Sequence, residues 1–301
     1  MARTLKNTTL TGKLKLVLAV DDDGSIKGWT TPGSGATLTS GSGLAIHANV
    51  VTGDTSYRGT SSCKYFETKG TAGNTPEGIC VTPNIDLRTR TTNRGIAVVT
   101  VMAGSSWTGG SGGSFPVSLQ RSADTNSATN SEAFAILASP MKAGMVMSSR
   151  QDSPTTTTIP SDGTTEFTVG ANYLHAGTDS YTGYTAGGQC FYCLESNAGS
   201  TASAFEPASP AGGGYQPNTP PGPLSIVGIA GAYNRDDHAT SPNAAADYAA
   251  PGKYVLIAVF DDLISLADYQ AIHDDPLGTL FESGASAVPI LAASYYGMLG
   301  S

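Results

Sequence analysis

The stretch that decides the fold is Tyr254-Val-Leu-Ile-Ala-Val-Phe-Asp-Asp262, followed by Ser265-Leu-Ala-Asp-Tyr-Gln-Ala-Ile-His273 and then by Asp275-Pro276. The first run is continuously apolar and ends on two carboxylates, so it predicts a buried strand followed by a polar break. The second run is the clearest helical signal in a chain whose other apolar segments are short. A late strand followed by one short helix marks the end of a β-sandwich.

The short helix is predicted by its ends as well as by its interior. Ser265 is a suitable N-cap, and Asp268 stands three residues later, as in a capping box. Pro276 cannot continue the helix, because its ring clashes with the preceding turn. Apolar residues at helical spacing form one face, and they are Leu266, Tyr269 and Ile272. We interpret the nearby acids as turn and cap residues rather than a catalytic cluster: Asp261, Asp262, Asp274 and Asp275.

The rest of the chain predicts many short strands. Only 13% of its 301 residues are charged and 37 are glycine, which is typical of strands joined by turns rather than of a helical protein. Residues 95–103 form the most apolar run, which predicts a central strand covered on both faces. Other predicted strands lie at 79–82, 115–119, 133–137, 144–148, 166–169, 189–194, 224–228 and 254–260. We therefore expect an all-β fold, a two-sheet antiparallel jelly-roll sandwich with one short C-terminal helix.

Both ends of the chain differ from this central region. Residues 1–43 are predicted to be an N-terminal docking arm with a strand at 14–20, which ends in a Gly/Ser/Thr-rich connector. The sandwich then spans 44–282, and 283–301 form an apolar tail of small residues. Such a tail is expected to pack against the same chain or a neighbour. The interface residues predicted from these ends are Leu14, Leu16, Leu18, Tyr295 and Tyr296.

Three motifs point to a family. Val81-Thr-Pro-Asn-Ile-Asp-Leu87 precedes the apolar strand at 96–102, and Pro223-Leu-Ser-Ile-Val-Gly228 forms a later strand. Ile264-Ser-Leu-Ala-Asp268 then leads into the helix, which ends at Asp275-Pro276-Leu277, where the family pattern has Trp in the last position. Through these motifs, residues 79–103 and 224–281 resemble the concanavalin A-like/laminin-G-like sandwich domains of many phage structural proteins and secreted bacterial proteins. These motifs are packing motifs, and a fold alone does not define a function.

The resemblance implies a structural protein of a virus particle, most directly of a tailed phage. Such a subunit would be a capsid decoration, a head fibre or a tail adhesin, with copies of itself and other virion proteins as partners. No continuous apolar core of a signal peptide follows Arg3, and no run reaches the ~18 apolar residues of a membrane helix. We therefore expect synthesis in the host cytoplasm, location in the virion and no membrane insertion.

The charge of the chain is negative and uneven. A net charge of −8 disfavours nucleic acid as a partner. Residues 1–100 carry eleven Lys and Arg against seven acids, whereas residues 201–301 carry two against ten. This asymmetry is interpreted either as chance and solubility, or as a basic end and an acidic end that meet between copies.

Two groups of residues leave metal or redox chemistry open. Cys190 and Cys193 have the spacing of a zinc knuckle, but Cys63 and Cys80 supply no second short pair, so zinc, two disulfides and free thiols all remain possible, with free thiols as the default. The turn at 21–25 half-resembles a calcium loop but lacks the closing Glu, so we expect solvated carboxylates there.

No convincing catalytic set is found, and we expect that the chain is not an enzyme. Retaining glycosidases need two carboxylates about 5 Å apart. The one Glu with an acid at suitable spacing is Glu166, and its partner Asp162 reads as a turn residue. His273, in Gln270-Ala-Ile-His273, resembles a lyase motif only by chance, because it falls in the predicted helix.

The alternative function is a carbohydrate-binding, lectin-like module for host or environmental polysaccharide. Exposed aromatic rings stack on sugars, and several aromatic residues lie in Gly/Ser/Thr-rich contexts. No cofactor is expected, although calcium is an open alternative to a solvated turn in the loop at 234–238. The candidate glycan-binding residues are Trp107, Tyr181, Tyr184, Tyr215 and Tyr233, and the candidate calcium ligands are Asp236 and Asp237.

Overall fold

The protein is an all-β sandwich that ends in two short helices. The structure, a computed structural model, describes residues 2–33, 35, 37–58, 60–68, 78–86, 95–103, 114–121, 133–138, 143–149, 155–160, 172–182, 185–195, 206–208, 224–229 and 252–282. The strands are β1 (Leu14–Val20), β2 (Ile26–Trp29), β3 (Thr39–Ser40), β4 (Gly43–Ile46), β5 (Val50–Tyr57), β6 (Thr60–Thr68), β7 (Ile79–Asp86), β8 (Gly95–Met102), β9 (Ser114–Arg121), β10 (Ala133–Ala138), β11 (Ala143–Ser149), β12 (Thr155–Pro160), β13 (Asn172–Thr182), β14 (Thr185–Glu195), β15 (Glu206–Ala208), β16 (Leu224–Ile229) and β17 (Gly252–Phe260). The helices are a 3-10 turn at Thr11–Lys13, α1 (Leu266–Asp274) and α2 (Pro276–Leu280).

Two sheets make up the sandwich. The nine-stranded sheet runs β15-β14-β13-β8-β17-β1-β2, with the β5–β6 hairpin joined to it through β17. The eight-stranded sheet runs β12-β11-β10-β9-β16-β7-β4-β3. Among the described strands, all pairings are antiparallel except that of β3 with β4. The predicted fold class is therefore confirmed, and the predicted strand at 166–169 lies outside the described residues.

β17 lies at the centre of the larger sheet, and both of its faces are covered. Leu256, Ala258 and Phe260 belong to a cluster that includes the helical residues Tyr269 and Ile272. Ile257 and Val259 lie on the opposite face, because side chains alternate along a strand, and they are also fully buried. This two-sided burial explains why the deciding run of the sequence is continuously apolar rather than alternating.

β8 confirms its predicted central position, since it pairs with β13 on one side and with β17 on the other. Ala97, Val98, Val99 and Val101 are all fully buried. The β5–β6 hairpin was not predicted, because its strands are polar and half-exposed. A hairpin of this kind carries little of the apolar signal from which strands are predicted.

The N-terminal strand belongs to the sandwich and not to a separate arm. β1 pairs with β17 on one side and with β2 on the other. Leu14, Leu16 and Leu18 are 4%, 1% and 0% exposed, so the structure corrects their assignment as interface residues. Their apolar pattern comes from a strand that is covered on both faces within this chain. An apolar segment that docks onto another subunit would show the same pattern.

The C-terminal helix agrees with its prediction at both ends. The Ser265 hydroxyl accepts from the Asp268 N–H, and the Asp268 carboxylate accepts from the Ser265 N–H, which completes the capping box. Tyr269 and Ile272 are buried as expected, and the side chain of Leu266 lies outside the described part of the structure. Pro276 ends α1 and also begins α2, where its missing N–H costs nothing. None of the helices in the described ranges has the length and apolar character that a membrane crossing requires.

Candidate functional site

Most of the residues that the sequence analysis considered for glycan binding, calcium, an interface or catalysis lie outside the described residues, and what was concluded about them stays a prediction. These are Trp107, Tyr184, Tyr215, Tyr233, Asp236, Asp237, Tyr295 and Tyr296, together with the acids Asp162 and Glu166. Tyr181 is placed by its backbone, near the tip of the β13–β14 hairpin, where it pairs with Ala186.

Several hydrogen-bonded and ion-paired groups lie around the two helices. We call this region the closing unit and define it as residues 2–13, the β5–β6 turn at 57–60, and residues 261–282. It contains hydrogen bonds and ion pairs between residues that are far apart in the sequence. Its geometry shows which charged and titratable groups the fold brings together.

Residues 2–6 lie alongside residues 278–282 and form the first part of the closing unit. The Lys6 N–H donates to the Leu280 carbonyl at 2.9 Å, and the Glu282 N–H donates to the Thr4 carbonyl at 2.8 Å. Leu5 lies between these bonds, opposite Phe281, and is fully buried. We call this pairing the terminal contact.

Trp29 packs against the terminal contact. Its indole N–H donates to the Arg3 carbonyl at 2.9 Å, and its ring meets the Phe281 ring edge to face at a centroid distance of 4.8 Å. The indole therefore buries a large apolar area while its one donor is satisfied. Three segments that are distant in sequence, around residues 3, 29 and 281, are held together by one side chain.

Ion pairs between the two ends of the chain use part of the charge asymmetry seen in the sequence. The Lys15 Nζ lies 3.0 Å from an Asp261 carboxylate oxygen, and the Lys13 Nζ lies 3.3 Å from an Asp262 carboxylate oxygen. Lys13 also donates to the Leu263 carbonyl at 2.6 Å. At these positions basic N-terminal and acidic C-terminal residues meet within one chain, rather than between copies as one interpretation of the sequence proposed.

The β1–β2 turn differs from the expected turn of solvated carboxylates. Asp21 is only 1% exposed, and its carboxylate accepts from Lys27 and from the Arg3 N–H. Asp23 is exposed and accepts from Lys27 at 2.7 Å and from Ser25. The Lys27 ammonium thus sits against two carboxylates, where it supplies the positive charge that calcium would have supplied.

The pKa values of this turn follow from its hydrogen bonds. Burial alone would raise the pKa of Asp21, but hydrogen bonds from Lys27 and from the Arg3 N–H lower it below the ordinary value. The hydrogen bonds from Lys27 and Ser25 lower the pKa of Asp23 as well. The same contacts with Asp21 and Asp23 raise the pKa of Lys27. All three groups are therefore held in their charged forms.

A buried histidine joins the β5–β6 turn to the end of α1. The Tyr57 hydroxyl donates to the His273 carbonyl at 3.0 Å and lies 3.0 Å from His273 Nδ1. Because this hydroxyl has one proton, which it gives to the carbonyl, we assign the imidazole proton to Nδ1. Burial, and secondarily the charge of Arg58, lower the pKa of His273 to about 4.

The sequence analysis set His273 aside because it falls in a helix. The signal that identifies it was present, since His273 follows Tyr269 by four residues and therefore lies on the buried face of α1. A histidine on the apolar face of a capped helix is expected to find a buried partner. Its partner Tyr57 is 216 positions away, so no local pattern indicated the pair.

Cys63 and Cys80 are free, buried thiols. Burial raises the pKa of Cys63 to about 11 and that of Cys80 to about 12, so both stay protonated and unreactive near neutral pH. Cys190 and Cys193 lie in β14, with their side chains outside the described part. Within that part, no three His, Cys, Asp or Glu residues are grouped as metal ligands.

Comparisons with known proteins yield partial structural likenesses. No protein-family model and no curated protein matches the sequence. The receptor-binding domain of botulinum neurotoxin type G is 9% identical, with a TM-score of 0.39 over 87% of this chain and 51% of that chain. A tailspike protein 2 domain of bacteriophage CBA120 is 11% identical, with a TM-score of 0.38 over 77% of this chain and 30% of that chain. Trypanosoma rangeli sialidase in complex with sialic acid is 9% identical, with a TM-score of 0.34 over 81% of this chain and 35% of that chain.

This chain spans about half the length of the neurotoxin domain and about a third of the tailspike and sialidase chains. At such identities and TM-scores, the likenesses assign neither a family nor an activity to this chain.

Proposed function

We propose that this chain is a non-enzymatic structural protein of a tailed-phage virion, displayed on the particle surface as a capsid decoration, a head fibre or a tail adhesin. The observation that carries the proposal is the position of the motifs that resemble concanavalin A-like virion domains. They fall in strands that are neighbours in the sandwich, since β7 pairs with β16 and β8 pairs with β17. The capped helix α1 follows β17, as the resemblance implied.

The closing unit supports a display role. A subunit on a particle surface has to keep its shape while one side is attached. The terminal contact, the buried Trp29 and the ion pairs of Lys13 and Lys15 join the first and last described segments to the sheet. Such long-range contacts make a compact module whose surface loops can vary.

The partners under this proposal are copies of the chain and other virion proteins. Light scattering coupled to size-exclusion chromatography would measure self-association, and co-sedimentation with purified particles would measure docking. We expect an oligomer or particle binding, and the double variant Tyr295→Ser/Tyr296→Ser should weaken it at least tenfold. Leu263→Ala, at a 39% exposed position in the closing unit, is the control and should not weaken it.

A chain that stays monomeric at high concentration and binds no particle would contradict the proposal. Release of reducing ends or unsaturated sugars from a polysaccharide would contradict its non-enzymatic part.

The alternative proposal is a lectin-like module, and the position of Tyr181 favours it. β13 and β14 form a long hairpin, and Tyr181 lies one residue before β13 ends at Thr182. Aromatic residues at the tip of a hairpin are well placed to stack on a sugar ring. Tyr184, Tyr215, Tyr233 and Trp107 are the further candidates, with calcium at Asp236 and Asp237 as a possible addition.

A glycan array with the intact protein tests this alternative. Binding should be lost in Tyr181→Ala and Tyr184→Ala and kept in Tyr173→Ala, which lies at the opposite end of β13 and pairs with Leu194. Sensitivity to a chelator would support the calcium assignment. An array without any bound glycan would remove the alternative.

A further inference from the structure

The turn of the β5–β6 hairpin rests on the end of α1 through two pairs of side chains, which we call the hairpin–helix contact. In the first pair, the Tyr57 hydroxyl is shared between the His273 carbonyl and His273 Nδ1, each at 3.0 Å. Tyr57 is 3% exposed and His273 is fully buried, so this pair is dry. The two rings are nearly perpendicular, at 86°, with their centroids 6.2 Å apart.

In the second pair, the Arg58 guanidinium binds the Asp274 carboxylate. Arg58 has a φ of 47°, which is in the left-handed region that non-glycine residues rarely adopt. Such a backbone is unfavourable for a non-glycine residue and persists where the surroundings enforce it. Gln270 holds the same carboxylate through its amide at 2.9 Å, so the acceptor for Arg58 is fixed by α1 itself.

The charges around His273 oppose a second proton on its ring. Burial and the Arg58 charge lower its pKa, whereas the Asp274 charge acts in the opposite direction. Other titratable groups near the contact include the Tyr57 hydroxyl, which bonds the ring, Cys63 and Tyr269, which share the buried cluster with Tyr57, and the Asp275 and Asp54 carboxylates, which act on Cys63. Cys63 and Tyr269 are neutral near pH 4, so they do not stabilise an imidazolium.

We propose that the hairpin–helix contact is an acid-sensitive latch, which opens when His273 takes up a proton. The proton adds to Nε2, because Nδ1 already carries one in the closed form. In the closed form, the resulting imidazolium would be buried away from solvent and close to the Arg58 charge. In the open form, solvent can reach it. The base of the hairpin stays in place, because β6 pairs with β17 at 252–254. Only the turn and the end of α1 separate.

The expected size of the effect follows from proton linkage. In the open form the His273 ring titrates near its ordinary value, whereas the closed form resists protonation until about pH 4. Lowering the pH from 7 to 4 therefore increases the ratio of open to closed molecules about 100-fold. The change begins below the ordinary histidine pKa and is nearly complete at the lower value.

Hydrogen–deuterium exchange of the full chain at pH 7, 5 and 4, corrected for intrinsic rates, tests the latch. Protection of the Tyr57, Thr60 and Cys63 amides should be lower than that of the β8 and β17 amides at every pH, and it should fall about 100-fold between pH 7 and 4. His273→Gln, which cannot become charged, should remove this fall. His47→Gln replaces a histidine in another part of the fold and should behave as the parent protein does.

Two results of this experiment would overturn the proposal. One is an equal acid-induced fall in His273→Gln, and the other is protection of these three amides equal to that of β8 and β17 at every pH, which would show that they exchange only through global unfolding. If His273→Gln does not fold, an NMR titration of the His273 ring decides the question. Arg58→Gln should then raise the titration midpoint while Arg58→Lys leaves it in place, and a midpoint at the ordinary histidine value of 6.5 in the parent protein would reject the latch.

Discussion

At the scale of single residues, the structure depends on a few buried charged or titratable groups that have specific partners. Asp21 and His273 are both at most 1% exposed, yet they are kept in opposite states. Asp21 stays charged because Lys27 and the Arg3 N–H donate to it. His273 stays neutral because burial dominates its environment. Burial disfavours the charged form of both groups, and only at Asp21 do hydrogen bonds outweigh it.

Replacing Lys27 with Met should expose the dependence of Asp21 on its cation. The buried carboxylate would lose its charge partner, so we expect the free energy of unfolding to fall by about 3 kcal/mol. Urea unfolding at neutral pH measures this change. Lys15→Met is the matched control, because the Lys15 and Asp261 side chains are 28% and 19% exposed, and it should cost less than about 1 kcal/mol.

The Asp21→Asn/Lys27→Met double variant completes the test, since it removes both charges. It should recover part of the lost stability. If Lys27→Met costs no more than Lys15→Met, then Asp21 does not depend on Lys27.

His273 predicts that stability depends on pH in a defined window. Its folded pKa, about 4, lies below its ordinary value of 6.5. Its contribution is therefore fully present above pH 6.5 and is lost as the pH falls towards 4, by about 3 kcal/mol. Thermal or urea unfolding from pH 7 to 4 measures the loss, which His273→Gln should not show.

Carboxylates affect the free energy of unfolding in a different pH range from His273, and so they serve as an internal reference. The pKa values of Asp21 and Asp274 are lowered from 3.8, so their contributions are lost only below about pH 4. A parent protein whose stability is flat between pH 6.5 and 4 would show that His273 is not held neutral by the fold.

At the scale of elements, the β5–β6 hairpin shows how a polar edge of the sheet is stabilised. Gly53 pairs with Tyr65 across the hairpin, and the Tyr65 ring lies over the space that a Cβ of Gly53 would occupy. Lys253 of β17 places its ammonium 5.1 Å from the centroid of the same ring. Because Gly53 has no side chain, the Tyr65 ring can cover the backbone and contact the Lys253 ammonium. These contacts compensate for the weak strand propensity of glycine.

Gly53→Ala should therefore show a coupling to Tyr65. The new Cβ would lie 2.7 Å from the Tyr65 hydroxyl and 2.9 Å from Cζ, so the ring has to shift from its present position. We expect a coupling energy of about 1 kcal/mol between Gly53→Ala and Tyr65→Ala in a double-mutant cycle of unfolding free energies. In the Tyr65→Ala background, Gly53→Ala should be stabilising, since alanine restricts the unfolded chain. Strictly additive effects would show that the ring does not rest on Gly53.

At the scale of the whole molecule, residues near both ends of the described chain complete the same core. Leu5 and Phe281 are neighbours and are both buried, although they come from opposite ends of the sequence. β1 occupies a position next to β17 that an independent docking arm would leave vacant. The sandwich can form only when residues that are far apart in the sequence come into contact, and we therefore expect it to fold slowly.

Leu5→Ala tests whether the N-terminal segment belongs to the core. Leu5 is fully buried, so we expect a loss of about 2–5 kcal/mol in the free energy of unfolding. Leu263→Ala removes the same atoms at an exposed position and should change stability by no more than about 0.5 kcal/mol. Equal, small effects of both substitutions would restore the interpretation of residues 1–43 as an arm.

Much of the secondary structure was predictable because its signals are local. The capping box of Ser265 and Asp268, the stop at Pro276 and the apolar runs of β8 and β17 are each determined by a few neighbouring residues. The strand at 14–20 was predicted as well, but its position in the sheet was not. An apolar strand looks the same in sequence whether it is covered by its own chain or by another.

By itself, the amino-acid sequence determined the fold class, the closing strand and the short capped helix, since these depend on periodicity and end signals within about ten residues. Only the tertiary structure decided that β1 lies beside β17, that Lys27 forms an ion pair with Asp21, and that Tyr57 contacts His273. The physical reason is that strand order and buried pairing depend on which distant surfaces meet. Tyr57 and His273 are 216 positions apart, and no local pattern specifies that distance.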